Sequence, residues 1–217
     1  TLLASSAASD VYKRQLLEQY DLSSLRFCIS GGAPLPRQVQ ETFERLTGCT
    51  LVEGYGLTEA GPVCTINPFG AARPGSIGLP LPGTLVEIVA IDDPDRRLPI
   101  GQRGEICISG PQIMAGYEGR PEETAEALRG GRLHTGDVGY MDQDGYVYLI
   151  DRIKDLILSA GFNVYPRMVE EAILLHPAVA EATVCGVPDD YRGETIKAFV
   201  RPNEGAVVTA AELRAFL

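Results

Sequence analysis

The stretch Leu25–Tyr55, LRFCISGGAPLPRQVQETFERLTGCTLVEGY, decides the fold of this chain. It begins with a short apolar strand, LRFCIS, which runs directly into the turn Gly31–Pro34. Pro36 then opens a helix whose apolar residues recur at helical spacing from Val39, and Gly48 ends it. A second strand, CTLVEGY, follows at once. Strand, glycine-rich turn, helix and strand form a βαβ unit, so the two strands are predicted to be parallel.

Both loops of this unit, SGGAPLP and GYGLTEAGP, leave the carboxyl ends of their strands, which is the edge where open α/β sheets bind ligands. Gly54 and Gly56 flank Tyr55, so the backbone can approach a flat ligand while the ring stacks on it. Thr58 and Glu59 then offer a hydroxyl and a carboxylate, which suit a phosphate oxygen and a hard cation such as Mg²⁺. Two structural alternatives stay open. Thr58 could cap a helix with Glu59 in its first turn, and SGGAP could be a tight strand-to-helix turn.

After Pro68 the sequence changes to short strands with frequent Gly and Pro. TLVEIVAID, GEICISG, VGYMD and GYVYLID are typical of antiparallel strands, the last two joined by a turn at Asp142–Gly145. Beyond them we expect a helix over about Pro166–His176, strands at EATVCGVP and TIKAFVRP, and a capping box that opens a helix at Thr209.

The predicted class is α/β with mixed α+β content. It comprises a partial doubly wound sheet subdomain with the βαβ unit at about 25–67, a small distorted β-barrel subdomain at about 68–151, and a small α+β C-terminal domain at 152–217. The start, residues 1–24, is poorly determined by any periodicity. Because the chain opens on Thr1 and ends inside a helix signal, we expect it to be a segment of a longer protein.

Composition excludes several classes of protein. The 217 residues are 45% hydrophobic and 22% charged, which excludes disorder. A net charge of −10 disfavours a nucleic-acid partner, and no apolar run is long enough to span a bilayer. The five cysteines are scattered and form no CxxC pair, which favours buried thiols in a reducing cytosol over disulfides or a zinc site.

Two further segments offer polar groups that could bind the ribose or a phosphate of a nucleotide. Thr135-Gly136-Asp137 presents a carboxylate on a glycine turn, which suits two hydrogen bonds from ribose hydroxyls, although an exposed hairpin end is the commoner use. Arg152 could contact a phosphate or ribose, or it could be a surface cation paired with Asp151 or Asp155.

Several long strings occur together, in the order SGGAPLP, EGYGLTE, GSIGLPLPG, GEICISGPQIMAGY, LHTGDVGYMDQDGYVYLIDRIKD, SAGFNVYPRMVEEAI and HPAVAEATVCGVPD. With them the chain resembles the adenylate-forming (acyl-activating) superfamily of acyl-CoA synthetases, luciferases and peptide-synthetase adenylation domains, over roughly Leu25–Leu217. DRIKDLILSAGFNVYP and YRGETIKAFV are most similar to bacterial long-chain fatty-acid–CoA ligases.

The resemblance implies a cytoplasmic enzyme that uses ATP and Mg²⁺ to convert a fatty acid to acyl-AMP and then transfers the acyl group to CoA. Peripheral contact with a membrane is compatible with such a substrate, and oligomeric state is not predicted. The implied nucleotide-binding residues are Gly32, Ala33, Pro34, Glu53, Gly54, Tyr55, Gly56 and Asp137. The implied catalytic residues are Thr58 at phosphate, Glu59 at Mg²⁺, and Arg152 at ribose and phosphate.

The resemblance also implies a domain organisation. Residues 25–151 correspond to the C-terminal part of the large AMP-binding domain, and 152–217 to an incomplete small domain that begins at a hinge near Lys154. Gly161 would leave room for the pantetheine arm of CoA. The alternatives are an exposed linker charge for Lys154 and an ordinary turn for Gly161.

Two elements of the superfamily, a Ser/Thr/Gly-rich phosphate loop and an adenylation lysine, are expected upstream of Leu25 and beyond Leu217. We therefore expect the chain as given to be inactive or nearly so. Two other functions remain open: another adenylate-forming enzyme, such as an aryl- or short-chain acid–CoA ligase or a carrier-protein-loading domain, and a non-catalytic nucleotide-binding module.

Overall fold

The computed structural model describes residues 20–33, 35 and 37–217. Most of the segment 1–24, together with Pro34 and Pro36, therefore lies outside the described residues. The chain divides into two compact units. The first combines the described part of Thr1–Val86 with Ile108–Ala125 and Asp142–Tyr148; the second combines Glu87–Cys107, Glu126–Met141 and Leu149–Leu217.

The described residues form helices and strands of short to moderate length. The helices are α1 (Arg37–Thr47), α2 (Pro121–Ala127), α3 (Pro166–Leu174) and α4 (Ala210–Phe216). The strands are β1 (Phe27–Ser30), β2 (Thr50–Tyr55), β3 (Thr65–Ile66), β4 (Leu79–Pro80), β5 (Leu85–Val89), β6 (Gly104–Ser109), β7 (Leu133–Met141), β8 (Val147–Arg152), β9 (Ile157–Ser159), β10 (Phe162–Val164), β11 (Val179–Asp189) and β12 (Gly193–Pro202).

The predicted βαβ unit is confirmed in the first unit. β1 and β2 are parallel, with Phe27 opposite Thr50 and Ser30 opposite Glu53, and α1 connects them. The helix ends before Gly48, whose φ of +67° lies in the left-handed region that favours glycine at a helix terminus. Both predicted loops therefore leave the same edge of the sheet.

The first sheet continues from β2 into two antiparallel strands, in the order β1–β2–β3–β4. α1 is fixed to the middle of this sheet through Leu51, whose carbonyl accepts a hydrogen bond from Gln40 Nε2 at 2.8 Å. The amide N–H of Leu51 in turn donates to Glu44 Oε1 at 2.9 Å. Next to it, Val52 is completely buried. The helix thus holds the strand that leads to the GYGLTE loop.

Strands β5 to β8 form a second sheet in the order β5–β6–β7–β8, most of whose residues belong to the second unit. The sequence predicts a small distorted barrel here, but among the described residues the sheet is open, because β5 and β8 are its outer strands and do not pair with each other. Val147 of β8 instead bridges to Gly78, and Val89 of β5 to Arg97. The predicted turn between β7 and β8 is present, and Asp142 Oδ1 accepts hydrogen bonds from the amides of Asp144 at 2.9 Å and Tyr146 at 3.0 Å.

The C-terminal part of the second unit is an α+β layer with the strand order β10–β9–β12–β11. α3 packs against it around a buried core of Ile157, Ile173, Val179 and Val184. α3 ends at Leu174, two residues before the predicted end at His176. The amide of His176 still donates a hydrogen bond to the Ile173 carbonyl, so the chain makes one further turn after the helix. The mixed α+β class predicted from the sequence is confirmed.

The predicted capping box of α4 is also confirmed. Thr209 Oγ1 accepts a hydrogen bond from the Glu212 amide at 3.2 Å, and Glu212 Oε2 accepts one from the Thr209 amide at 2.7 Å. None of the helices in the described part of the chain combines the length and apolar character that crossing a bilayer requires. All five cysteines carry free thiols, and three of them are buried: Cys49, Cys64 and Cys107.

Candidate active site

The two glycine-bearing loops of the first unit lie next to each other at the carboxyl ends of β1 and β2. Glu53 Oε1 accepts a hydrogen bond from the Leu35 amide at 3.2 Å, which ties the strand before GYG to the SGGAP loop. A Cβ added at Gly31 would lie 3.2 Å from the Gly54 carbonyl oxygen. Gly32, with φ +81°, and Ala33 are exposed on this loop, whereas Pro34 lies outside the described residues.

Gly54 and Gly56, which flank Tyr55, lie so close to other backbone segments that a side chain would not fit there without a shift. A Cβ on Gly56 would collide with the backbone carbonyl of Pro62, and one on Gly54 would lie 3.3 Å from the Thr65 carbonyl oxygen. These close approaches are made by the protein's own backbone. Between the two glycines, Tyr55 is half-buried at the end of β2.

Thr58 and Glu59 belong to a single 3₁₀ turn, Thr58–Ala60. The residue before this turn is Leu57, and no side chain caps it, so Thr58 does not act as the helix cap that we considered. Its hydroxyl-bearing side chain is exposed, whereas Glu59 is half-buried. Glu59 Oε1 accepts a hydrogen bond from the Tyr117 hydroxyl at 2.8 Å. This bond and partial burial raise the pKa of Tyr117 above its ordinary value.

In the second unit, the structure brings Asp137 and Arg152 together. Asp137, on β7, is 5% exposed, and its Oδ1 lies 3.1 Å from Arg152 Nε at the end of β8. The Arg152 side chain itself is 58% exposed. Asp151 is one of the ion-pair partners suggested by the sequence for Arg152. Its Oδ1 accepts a hydrogen bond from the backbone amide of Arg152, at 2.9 Å, rather than from the guanidinium. A buried carboxylate therefore faces a cation that keeps access to solvent.

The backbone around Asp137 is held by the neighbouring strand β6. Gly136, with φ +72°, donates its amide hydrogen bond to Glu105 Oε1 at 3.0 Å. Thr135 Oγ1 donates to the Ile106 carbonyl at 2.7 Å and accepts from the Asp137 amide at 3.1 Å. The TGD segment is consequently fixed from both sides of its glycine.

Sequence reasoning missed Glu105, although a carboxylate inside the apolar strand GEICIS was a usable signal. Glu105 belongs to a group in which one ligand atom each of Glu105, Cys107 and His134 lies within 4.8 Å of the others. The guanidinium of Arg129 disfavours a metal ion there, because its Nη2 lies 3.2 Å from His134 Nδ1, the same nitrogen that faces Glu105 Oε2 at 2.8 Å. Burial raises the pKa of Cys107 to about 12. Since Glu105 also accepts a hydrogen bond from the Gly136 amide, the group is a hydrogen-bonded support of the TGD segment.

The two residues predicted to act in the second half-reaction also lie in the second unit. Lys154 is the exposed middle residue of the turn Ile153–Asp155 and lines a cleft of about 450 Å³. Gly161 is the second residue of a two-residue turn between β9 and β10, with φ +82° after φ +49° at Ala160. This matches the ordinary-turn alternative. No heavy atom lies within 4 Å of a Cβ added at Gly161, so the space beside it is open.

Sequence comparison places the chain among known proteins. Residues 2–118 match the family model described as AMP-binding enzyme, and residues 168–217 match that of the AMP-binding enzyme C-terminal domain. The long-chain-fatty-acid–CoA ligase of Bacillus subtilis (strain 168) is 52% identical over 92% of this chain and 36% of its own length. The probable 4-coumarate–CoA ligase 2 of Dictyostelium discoideum is 41% identical over 93% of this chain and 37% of its own length.

Structural comparison agrees. ATP-bound MatB from Rhodopseudomonas palustris superposes with a TM-score of 0.82 at 37% identity, over 88% of this chain and 38% of that protein. The chain thus spans little more than a third of the length of the curated relatives described here.

Proposed function

The chain belongs to the family of AMP-binding enzymes, and on that premise we propose that the protein carrying it is a long-chain fatty-acid–CoA ligase. The observation that carries this proposal is the 52% identity, over 92% of the chain, to a relative that bears that name. In the proposed reaction the fatty-acid carboxylate attacks the α-phosphate of ATP, which forms acyl-AMP and releases pyrophosphate. The CoA thiol then attacks the acyl carbon and releases AMP.

In this reaction the SGGAPLP and GYGLTE loops would bind the base and phosphates of ATP. Tyr55 would stack on the adenine, with the exposed Gly32–Ala33 loop and Pro34 along its edge. The tie between Glu53 and Leu35 supports this role, because it holds the two loops beside each other. Thr58 would donate its exposed hydroxyl to a phosphate oxygen.

We propose Asp137 and Arg152 as the residues that bind the ribose. Asp137 would accept hydrogen bonds from the two ribose hydroxyls, and Arg152 would contact ribose and phosphate oxygens. Their 3.1 Å pair supports this assignment, because it leaves most of the Arg152 side chain in solvent, where it is available to an anion. Developing negative charge at the phosphate would be stabilised by such a preorganised cation.

We propose Mg²⁺ as the metal that accompanies ATP, with Glu59 as the residue that would hold it. A carboxylate fits this ion, because it offers hard oxygen atoms and Mg²⁺ prefers few protein carboxylates alongside phosphate oxygens. Glu59 is half-buried, and only one of its carboxylate oxygens accepts a hydrogen bond among the described residues. When bound, Mg²⁺ supplies positive charge to phosphate oxygens.

We also propose the domain organisation of the family for this protein. Residues 152–217 would move about a hinge at Lys154 between the two half-reactions, and Gly161 would then admit the pantetheine arm of CoA. The open space beside Gly161 is compatible with this role. We place the enzyme in the cytoplasm, with peripheral contact at membranes as its route to fatty acids; the net charge of −10 gives no attraction to anionic lipids.

The test uses an intact protein that carries this sequence. Palmitate should support exchange of labelled pyrophosphate into ATP without CoA, and added CoA should yield palmitoyl-CoA. Loading of a carrier protein without CoA turnover, or no exchange with any carboxylic acid, would overturn the proposal.

A second candidate is an aryl-acid–CoA ligase, which is favoured by the 41% identity to a probable 4-coumarate–CoA ligase. The same exchange assay with 4-coumarate and palmitate side by side separates the two. A higher kcat/KM for 4-coumarate would select this candidate.

A further inference from the structure

Tyr117 contacts Glu59 although the two residues are 58 positions apart in the sequence. Tyr117 follows β6 in the segment MAGYEGRPEE, and both residues belong to the first unit. Its hydroxyl donates to Glu59 Oε1 at 2.8 Å, and Tyr117 is 39% exposed. The sequence around Tyr117 predicts no role for this residue in binding or catalysis.

Both partners of this hydrogen bond are fixed by their backbones. The Glu59 carbonyl accepts a hydrogen bond from the Met114 amide at 2.8 Å, three residues before Tyr117. The Tyr117 amide donates to Thr124 Oγ1 at 2.9 Å, and that hydroxyl donates to the Arg120 carbonyl at 2.7 Å. The backbone of Tyr117 is therefore held by Thr124 in the first turn of α2. The backbone of Glu59 is held by Met114, in the segment that leads to Tyr117.

The hydrogen bond leaves the carboxylate usable. In the part of the chain that the structure describes, Glu59 Oε1 takes the Tyr117 hydroxyl and no hydrogen bond reaches Oε2. A neutral phenol, unlike a guanidinium, does not cancel the negative charge of the carboxylate. The phenol O–H can only donate to this carboxylate oxygen, so the contact fixes the direction of Oε1.

We propose that Tyr117 is a positioning residue that fixes the orientation of the Glu59 carboxylate, so that Oε2 is presented to the cation bound with ATP. This inference rests on the proposed function. It assigns Tyr117 no contact with substrate. Its effect is to remove the rotational freedom that Glu59 would otherwise lose when the cation binds.

The test compares Tyr117→Phe with wild type in the intact protein, by isothermal titration calorimetry without any carboxylic acid. Each protein is titrated with MgATP and, separately, with ATP in excess EDTA. We expect Tyr117→Phe to weaken MgATP binding about two- to tenfold, the range of a single net hydrogen bond, and to leave metal-free ATP binding within about twofold. The matched control is Tyr148→Phe, because the Tyr148 hydroxyl donates to another carboxylate of the same unit, Asp142 Oδ2, at 3.2 Å. The control should not change either affinity.

A double-mutant cycle with Glu59→Gln identifies the route of the effect. Glu59→Gln should itself weaken MgATP binding, and Tyr117→Phe should then add almost nothing, because the carboxylate it positions is gone. If wild type prefers MgATP and Tyr117→Phe retains that preference in full, the positioning role is wrong and the proposed function stands. If wild type binds MgATP no better than metal-free ATP, the metal assignment of the proposed function fails together with this inference.

Discussion

Asp137 is a buried carboxylate on a rigid stretch of backbone, and it contacts the guanidinium of Arg152. Its backbone is fixed by Thr135, Gly136 and Glu105, and its partner Arg152 remains largely in solvent. At the scale of the residue, this arrangement is what a binding carboxylate requires: low mobility and a fixed direction for its acceptor oxygens.

We expect Asp137→Asn to raise the KM for ATP about ten- to hundredfold, because hydrogen bonds from hydroxyls to a charged acceptor are stronger than those to a neutral amide. The KM for the fatty acid should change far less. Steady-state kinetics of the intact protein measure both, with Asp92→Asn, an exposed carboxylate 2.9 Å from Arg96, as the control. An equal rise in both KM values would indicate general damage to the fold, and an unchanged KM for ATP would remove Asp137 from the site.

Gly56 supports a prediction about stability. The Cβ of Gly56→Ala would collide with the backbone carbonyl of Pro62, so the GYGLTE loop must shift, and we expect a loss of about 1–3 kcal/mol in the free energy of unfolding. Gly70→Ala controls for backbone strain without a collision, because Gly70 has φ +76° and no atom within 4 Å of an added Cβ. Chemical denaturation of the two variants should show the larger loss for Gly56→Ala. No measurable loss in Gly56→Ala would mean that the loop adapts without cost.

At the scale of the element, the hairpin of β9 and β10 carries Gly161, the residue proposed to admit the pantetheine arm of CoA in the second half-reaction. Gly161→Trp should spare pyrophosphate exchange and slow thioester formation in the intact protein, because the indole would fill space proposed for pantetheine. Gly161→Ala is matched for backbone strain, since both variants force a side chain onto φ +82°, and it should slow neither step by as much. Rates of the two half-reactions, measured separately, check this. Equal loss of both half-reactions in Gly161→Trp would remove the assignment of Gly161.

The elements that the sequence predicted well are those with local causes. The helix that the sequence predicts between Pro36 and Gly48, the Asp142–Gly145 turn and the capping box at Thr209 are each specified by residues a few positions apart. The structure contains all three, with the helix at Arg37–Thr47. Closure of the strands after Pro68 into a barrel depends on long-range pairing, and there the structure has an open sheet. Local signals predict elements, whereas pairing across many residues has no local signature.

The candidate site divides in the same way. The sequence pointed to Glu59, in the turn Thr58–Ala60, and to Asp137, in β7, because both stand in recognisable motifs. It did not point to Tyr117, between β6 and α2, or to Glu105, in β6, because their support of the site depends on spatial neighbours far along the chain. Supporting residues of this kind become visible only in coordinates.

At the scale of the whole molecule, the proposed reaction brings the triphosphate of ATP to a chain of net charge −10. Long-range electrostatics therefore oppose binding, and affinity must come from local cations and hydrogen-bond donors. Arg152, Thr58 and the cation proposed at Glu59 are groups of this kind. The proposed reaction consequently depends on chemistry at the α-phosphate rather than on general electrostatic attraction.

The most direct test of that chemistry follows the carboxylate oxygen. Palmitate labelled with ¹⁸O in its carboxylate is incubated with ATP, Mg²⁺, CoA and the intact protein, and the nucleotide and pyrophosphate are analysed by mass spectrometry. Because the account has the carboxylate attack the α-phosphate, it predicts one ¹⁸O atom in AMP and none in pyrophosphate. Palmitoyl-CoA formed with ADP as the nucleotide product, or AMP without label, would contradict it.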